Sequence, residues 1–143
     1  MSKKIFLIED NGFMTERLRE RLEDRYQCVV SDAYSVASAK DTWDSERGDF
    51  DCIILDLHIN PVGLKSDESA TITPLFGLKT LDYFYQTKNV SKETINEKTI
   101  LFSKYINEYK SKRLEYGPFA EVIPKDGDSI ERVVKAIGKL LNK

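Results

Sequence analysis

Apolar and polar positions along this chain switch repeatedly between the period of a strand and the period of a helix. Ile5–Ile8 is a short apolar run that ends in the acids Glu9 and Asp10. From about Asn11 to Tyr26, the residues Phe13, Met14, Leu18 and Leu22 recur at helical spacing, with charge on the other face. Tyr26–Val30 reads as a second strand, and Ala33–Ser45, with Val36, Ala37, Ala39 and Trp43, as a second helix. Cys52–Leu57 is apolar apart from Asp56, the pattern of a central parallel strand covered on both faces. A third helix is predicted over Gly77–Gln86, on the stripe Leu78, Leu81 and Phe84. Thr99–Phe102 reads as a fourth strand, about Ile106–Tyr116 as a charged fourth helix, and Glu121–Ile123 as a fifth strand. Ser129 is the expected N-cap of a last helix running to Leu141. Five strand–helix repeats predict a single doubly wound α/β domain, a parallel sheet with helices on both faces.

One stretch breaks the rhythm. Ile59 to Phe76 holds two prolines, a glycine and the polar run Lys65–Ser69, and reads as a long loop. Loops of this length are uncommon in compact domains and are often functional. The 143 residues suffice for one domain with a substantial core. A net charge of −2 supplies no drive toward nucleic acid or an anionic membrane, and no apolar run reaches membrane-spanning length, so neither is an expected partner. Cys28 and Cys52 fall in predicted strands, too few and too far apart for a disulfide framework or a zinc site. Buried free thiols in a reducing cytoplasm are the simplest expectation.

The chemistry gathers at strand ends. In an open parallel sheet the carboxyl ends of the strands lie along one edge, where such sheets bind ligands. Glu9 and Asp10, Asp56, Ser103 and Lys125 each fall at or just past such an end. A carboxylate in a buried apolar run costs several kcal/mol unless it is paired or metal-bound, which singles out Asp56. An aspartate carboxylate can attack phosphorus, but both groups are anionic, so a divalent cation must bridge them. Mg²⁺ prefers oxygen ligands and suits Glu9, Asp10 and Asp56, with the His58 backbone carbonyl completing the set. Ser103 and Lys125 would hold the remaining phosphoryl oxygens.

The segments Ile5–Asn11, Asp51–Leu57, Gly77–Leu81, Ile100–Ser103, Gly117 and Val122–Asp126, in this order and at these distances, resemble the receiver domain of bacterial two-component response regulators. The resemblance spans essentially the whole chain, 1–143, and implies a flavodoxin-like (βα)5 sheet of order 2-1-3-4-5. It implies Asp56 as phospho-acceptor, Glu9 and Asp10 as the metal-binding pair, Ser103 as the switch hydroxyl and Lys125 as the phosphate contact. The implied donor is a phosphohistidine of a sensor histidine kinase or phosphotransfer protein. The implied output is a conformational change read by an unknown downstream protein, with no direct nucleic-acid binding and a homodimer left open. Phospho-acceptance and slow autodephosphorylation, rather than conventional enzyme turnover, are the activities expected.

Three departures from that pattern stand out. The usual proline four residues after the acceptor is Asn60, and the loop of about 59–76 carries roughly a dozen extra residues beside the acceptor. The usually small residue after the switch hydroxyl is Lys104. The usual rotating aromatic three positions before the lysine is Val122. The alternative reading is therefore a receiver-like binding module that is not phosphorylated. A phosphohydrolase with a nucleophilic aspartate is disfavoured, because His58 stands where a second acid is wanted.

Overall fold

The structure, a computed structural model, describes residues 2–63, 75–112 and 115–142. Five parallel strands form one sheet: β1 (Lys3–Ile8), β2 (Cys28–Ala33), β3 (Cys52–Leu55), β4 (Thr99–Ser103) and β5 (Glu121–Pro124). Their order is β2-β1-β3-β4-β5, as expected. The described helices are α1 (Gly12–Arg25), α2 (Val36–Ser45), α3 (Phe76–Phe84), α4 (Lys92–Glu97), α5 (Ile106–Lys110) and α6 (Ser129–Leu141).

Alternation along the strands divides the core in two. Ile5, Leu7, Ile54, Ile100 and Phe102 face α1 and α6, packing on Leu18, Leu22, Val133 and Ile137. Phe6, Ile8, Ile53, Leu55 and Leu101 face the other way, toward Trp43, Leu81 and Phe84. A strand covered on both sides has no reason to alternate polar with apolar, which is why β1, β3 and β4 read as unbroken apolar runs. Aromatic packing locks the second layer. Trp43 stacks on Phe84 at 4.0 Å between ring centroids, and Phe6 on Phe50 at 4.6 Å. The Trp43 indole N–H donates to Thr87 Oγ1 at 2.8 Å, so its one polar atom is satisfied.

Several local expectations are corrected. β2 runs from Cys28 to Ala33 because it pairs with β1 along its full length, from Lys3↔Cys28 to Ile8↔Ala33. Phe13 is no part of the α1 stripe; it is 72% exposed, with the Arg17 guanidinium 5.6 Å from its ring. The helix expected over 106–116 ends at Lys110, and the Tyr109 hydroxyl donates to the Tyr116 carbonyl as the chain turns back. Residue Asp128, not Ser129, is the N-cap of α6; the Ser129 hydroxyl instead donates to the Asp126 carbonyl at 2.7 Å. The short α4, capped by Ser91, has too few apolar positions to show a period. Cys52 is a buried free thiol as expected, whereas Cys28 is only half-buried.

The loop expected over 59–76 is described only at its two ends; residues 64–74 lie outside the described residues. At its start, the Asn60 and Val62 carbonyls accept from the Val36 and Ala37 N–H groups at 3.0 and 2.7 Å. These are donors of the first turn of α2, which no intrahelical carbonyl can satisfy. At its far end Gly77 presses α3 against the end of β3, donating its N–H to the Leu57 carbonyl at 2.9 Å. A Cβ at Gly77 would lie 2.2 Å from the Asp56 carbonyl oxygen, so only glycine permits the approach. Gly77→Ala is expected to cost about 2–3 kcal/mol, read as a lowered urea midpoint at unchanged slope.

Candidate functional site

The parallel ladder itself delivers the site residues to one edge. Asp56 N–H donates to the Ile8 carbonyl at 3.0 Å and Glu9 N–H to the Ala33 carbonyl at 2.9 Å. Lys125 N–H donates to the Ser103 carbonyl at 3.1 Å, which extends the β4–β5 register (Ser103↔Pro124) by one step. Each chemical residue is thus pinned by its neighbour strand before its side chain makes any contact. Asn11, next after the acid pair, accepts from Met14 N–H at 3.1 Å and starts α1 directly beyond it.

Lys125 Nζ lies 2.5 Å from Glu9 Oε1 and 2.7 Å from Asp56 Oδ2. Glu9 and Asp56 are 3% and 5% exposed, so this is a buried charge cluster and not a surface ion pair. Burial, then the neighbouring Asp56 charge, push the Glu9 carboxyl up to about 7 despite the Lys125 ammonium. Burial pulls Lys125 down, but the two carboxylates outweigh it and the net shift is upward. Asp10, exposed at the rim, is raised by partial burial and by Asp56.

The other expected residues divide. One carboxylate oxygen from each of Glu9, Asp10 and Asp56 lies within 4.8 Å of the others. His58 follows closely: its backbone N–H donates to Asp56 Oδ1 at 3.2 Å. Ser103 is fully buried at the same edge, yet its Oγ accepts from the Tyr105 backbone N–H at 3.1 Å, and no described hydrogen bond joins it to the carboxylates. Lys104 is exposed, and Val122 is half-buried on β5 opposite Leu101. The sequence reading passed over Tyr105, whose ring lies 5.0 Å from that of His58, centroid to centroid. No local pattern signals a contact between residues on two different loops.

Three carboxylates and one ammonium leave two formal negative charges when all are ionised. Such a set of hard oxygen donors, one of them open to solvent, fits a divalent cation such as Mg²⁺. Beside Glu9 and Asp10 a cleft of about 210 Å³ opens, bounded by Thr15, Glu16, Asp32 and Tyr34.

The chain has the receiver-domain fold. The receiver domain of HemR from Leptospira biflexa, in its non-phosphorylated form, superposes with a TM-score of 0.71 at 21% identity, covering 99% of this chain and 96% of that one. The response regulator TrrA from Thermotoga maritima, in complex with Mg²⁺ and BeF, gives 0.67 at 21% identity, covering 96% and 98%. The receiver domain of a sensor histidine kinase from Pseudomonas aeruginosa, with a magnesium ion coordinated in its active-site cleft, gives 0.70 at 14% identity over 100% of both chains. No protein-family profile matches the sequence, and no curated protein does.

The Glu9 shift has a measurable consequence for the metal-free protein. A carboxyl whose pKa is higher folded than unfolded binds the extra proton in the folded state. Folding stability should therefore fall as pH rises from about 4.5 to about 7, by an amount on the order of 2–3 kcal/mol. Denaturant titrations across that range check this, and Glu9→Gln should flatten the slope.

Proposed function

We propose that this chain is a phosphorylatable receiver domain, 1–143, in which Asp56 accepts a phosphoryl group from a phosphohistidine of a sensor histidine kinase or phosphotransfer protein. The observation that carries the reading is the Lys125 ammonium bonded to both Glu9 and Asp56, with Asp10 beside them, at the carboxyl edge of a 2-1-3-4-5 sheet. An Asp56 carboxylate oxygen forms the bond to phosphorus while the bond from phosphorus to the donor imidazole nitrogen breaks. That nitrogen keeps the electron pair and takes up a proton. Hydrolysis reverses the state: water adds to phosphorus, the acyl phosphate P–O bond breaks, and the carboxylate and inorganic phosphate are released.

The chain's own residues contribute position and charge. Lys125, already bonded to the acceptor, would follow the transferred oxygens, and Ser103 would bond another of them. Glu9, Asp10, Asp56 and the His58 carbonyl would hold Mg²⁺, which neutralises the charge that otherwise keeps an anionic phosphoryl group from a carboxylate. Signalling then runs through protein contacts of the face around α5 and β5, in a cytoplasmic protein without direct nucleic-acid binding. Among the described residues no helix is long and apolar enough to cross a membrane. The unphosphorylated binding module remains the rival reading.

With acetyl phosphate or phosphoramidate and Mg²⁺, intact-mass spectrometry should show addition of one phosphoryl group to the protein. Asp56→Asn and removal of Mg²⁺ by chelation should each abolish it. Lys125→Met should slow uptake about 100-fold or more. No uptake by the unaltered protein, from these donors or from a competent phosphotransfer protein, would favour the binding module.

A further inference from the structure

Lys125 stands just past the end of β5, yet the two carboxylates it bonds stand past the ends of β1 and β3. The sheet order β1-β3-β4-β5 puts β4 in between, so the lysine stem must run across the end of that strand. Leu7, Ile54, Phe102 and Ile123 all belong to the layer that faces α1 and α6, and Glu9, Asp56 and Lys125 follow two residues after Leu7, Ile54 and Ile123. Alternation therefore carries the charge cluster to the same side of the sheet as the Phe102 ring. There the Lys125 ammonium lies over that ring, 5.3 Å from its centroid. Phe102 is buried and the Lys125 side chain is only 10% exposed, so water screens this contact little.

We infer that Phe102 is a positioning residue for Lys125: its ring face holds the ammonium across the end of β4, within reach of a phosphoryl group on Asp56. The inference rests on Asp56 being the acceptor. Glu9 Oε1 and Asp56 Oδ2, the hydrogen-bond acceptors of the ammonium, belong to carboxylates that would also hold the divalent cation. A metal ion on those carboxylates draws off the charge that anchors the lysine. The ring is the one described contact of the ammonium that such a metal does not share, because its face attracts a cation without offering a carboxylate lone pair. It keeps Lys125 in place while the metal occupies the carboxylates, so the arriving phosphoryl group meets a lysine already ordered. The ring also takes up no hydrogen bond from the ammonium, which leaves its N–H groups for phosphoryl oxygens. Leucine at this position would keep an apolar contact with the stem but give the ammonium no face to rest on.

Two measurements test this. The first needs no phosphate analogue: side-chain NMR of Lys125, without and with Mg²⁺. The ring current of Phe102 should displace the Lys125 ε-proton resonances upfield in the unaltered protein. The displacement should persist when Mg²⁺ is added, and Phe102→Leu should remove it. Its loss on adding Mg²⁺ to the unaltered protein would overturn the inference. The second is beryllofluoride affinity, measured by calorimetry with Mg²⁺ present, after Phe102 is replaced by para-fluorophenylalanine and by trifluorophenylalanine. Fluorine draws negative charge from the ring face at nearly constant shape. Affinity should therefore fall stepwise with fluorine number, reaching about 3- to 10-fold for the trifluoro ring, the usual scale of a desolvated cation–π contact. Phe102→Leu should weaken binding at least as much. A packing role alone would leave both fluorinated proteins binding like the unaltered one while Phe102→Leu binds more weakly. That result would overturn the inference and leave Asp56 as acceptor. Failure of the unaltered protein to bind beryllofluoride would overturn the acceptor reading, and with it the part of Phe102 in the reaction.

Discussion

A buried ammonium shared by two buried carboxylates is the constraint around which the rest of the molecule is arranged. Lys125 bonds Glu9 and Asp56 at once, although the three come from the ends of three different strands. Each charge alone would be costly in this environment, and removing the lysine would leave two buried carboxylates facing each other uncompensated. The cluster therefore ties β5, at the sheet edge, back to β1 and β3 across β4. It also stores charge imbalance: Glu9 is driven upward because burial and Asp56 outweigh the lysine. A site held with excess negative charge and opened to solvent at Asp10 suits a divalent cation.

The scaffold earns its precision from backbone bonds and not from side chains. Glu9, Asp56 and Lys125 each donate a main-chain N–H to the adjacent strand or its extension, so the site inherits the rigidity of the ladder. Gly77 adds a second fix from outside the sheet, bringing α3 within a distance of the Asp56 carbonyl that no side chain could allow. On the opposite side of the β3 loop, Asn60 and Val62 dock on the first turn of α2. The loop after β3 is thus held at both of its described ends.

The departures from the receiver pattern acquire physical content in this setting. Lys104 is exposed and Val122 half-buried, and no described ion pair or hydrogen bond joins either side chain to the charge cluster. The buried hydroxyl of Ser103 is bonded within its own turn, to the backbone N–H of Tyr105, whose ring lies 5.0 Å from that of His58.

Read alone, the sequence already determined the layout. Unbroken apolar runs of four to six residues, alternating with helical stripes, admit little besides a parallel sheet covered on both faces, and the acid in the third run marked Asp56. The carboxylates, the hydroxyl and the lysine were legible because their strand-end positions follow from that layout. Local and long-range details were not. The start of α6 at Asp128, the early end of α5 and the exposure of Phe13 turn on single hydrogen bonds or on which neighbour happens to cover a face, and period carries no such information. Only the tertiary structure decided that Lys125 joins Glu9 to Asp56, that Ser103 is bonded to Tyr105, and that His58 meets Tyr105. Those contacts join residues from separate loops, or fix which of several partners a polar atom takes, and both depend on how the strands are stacked.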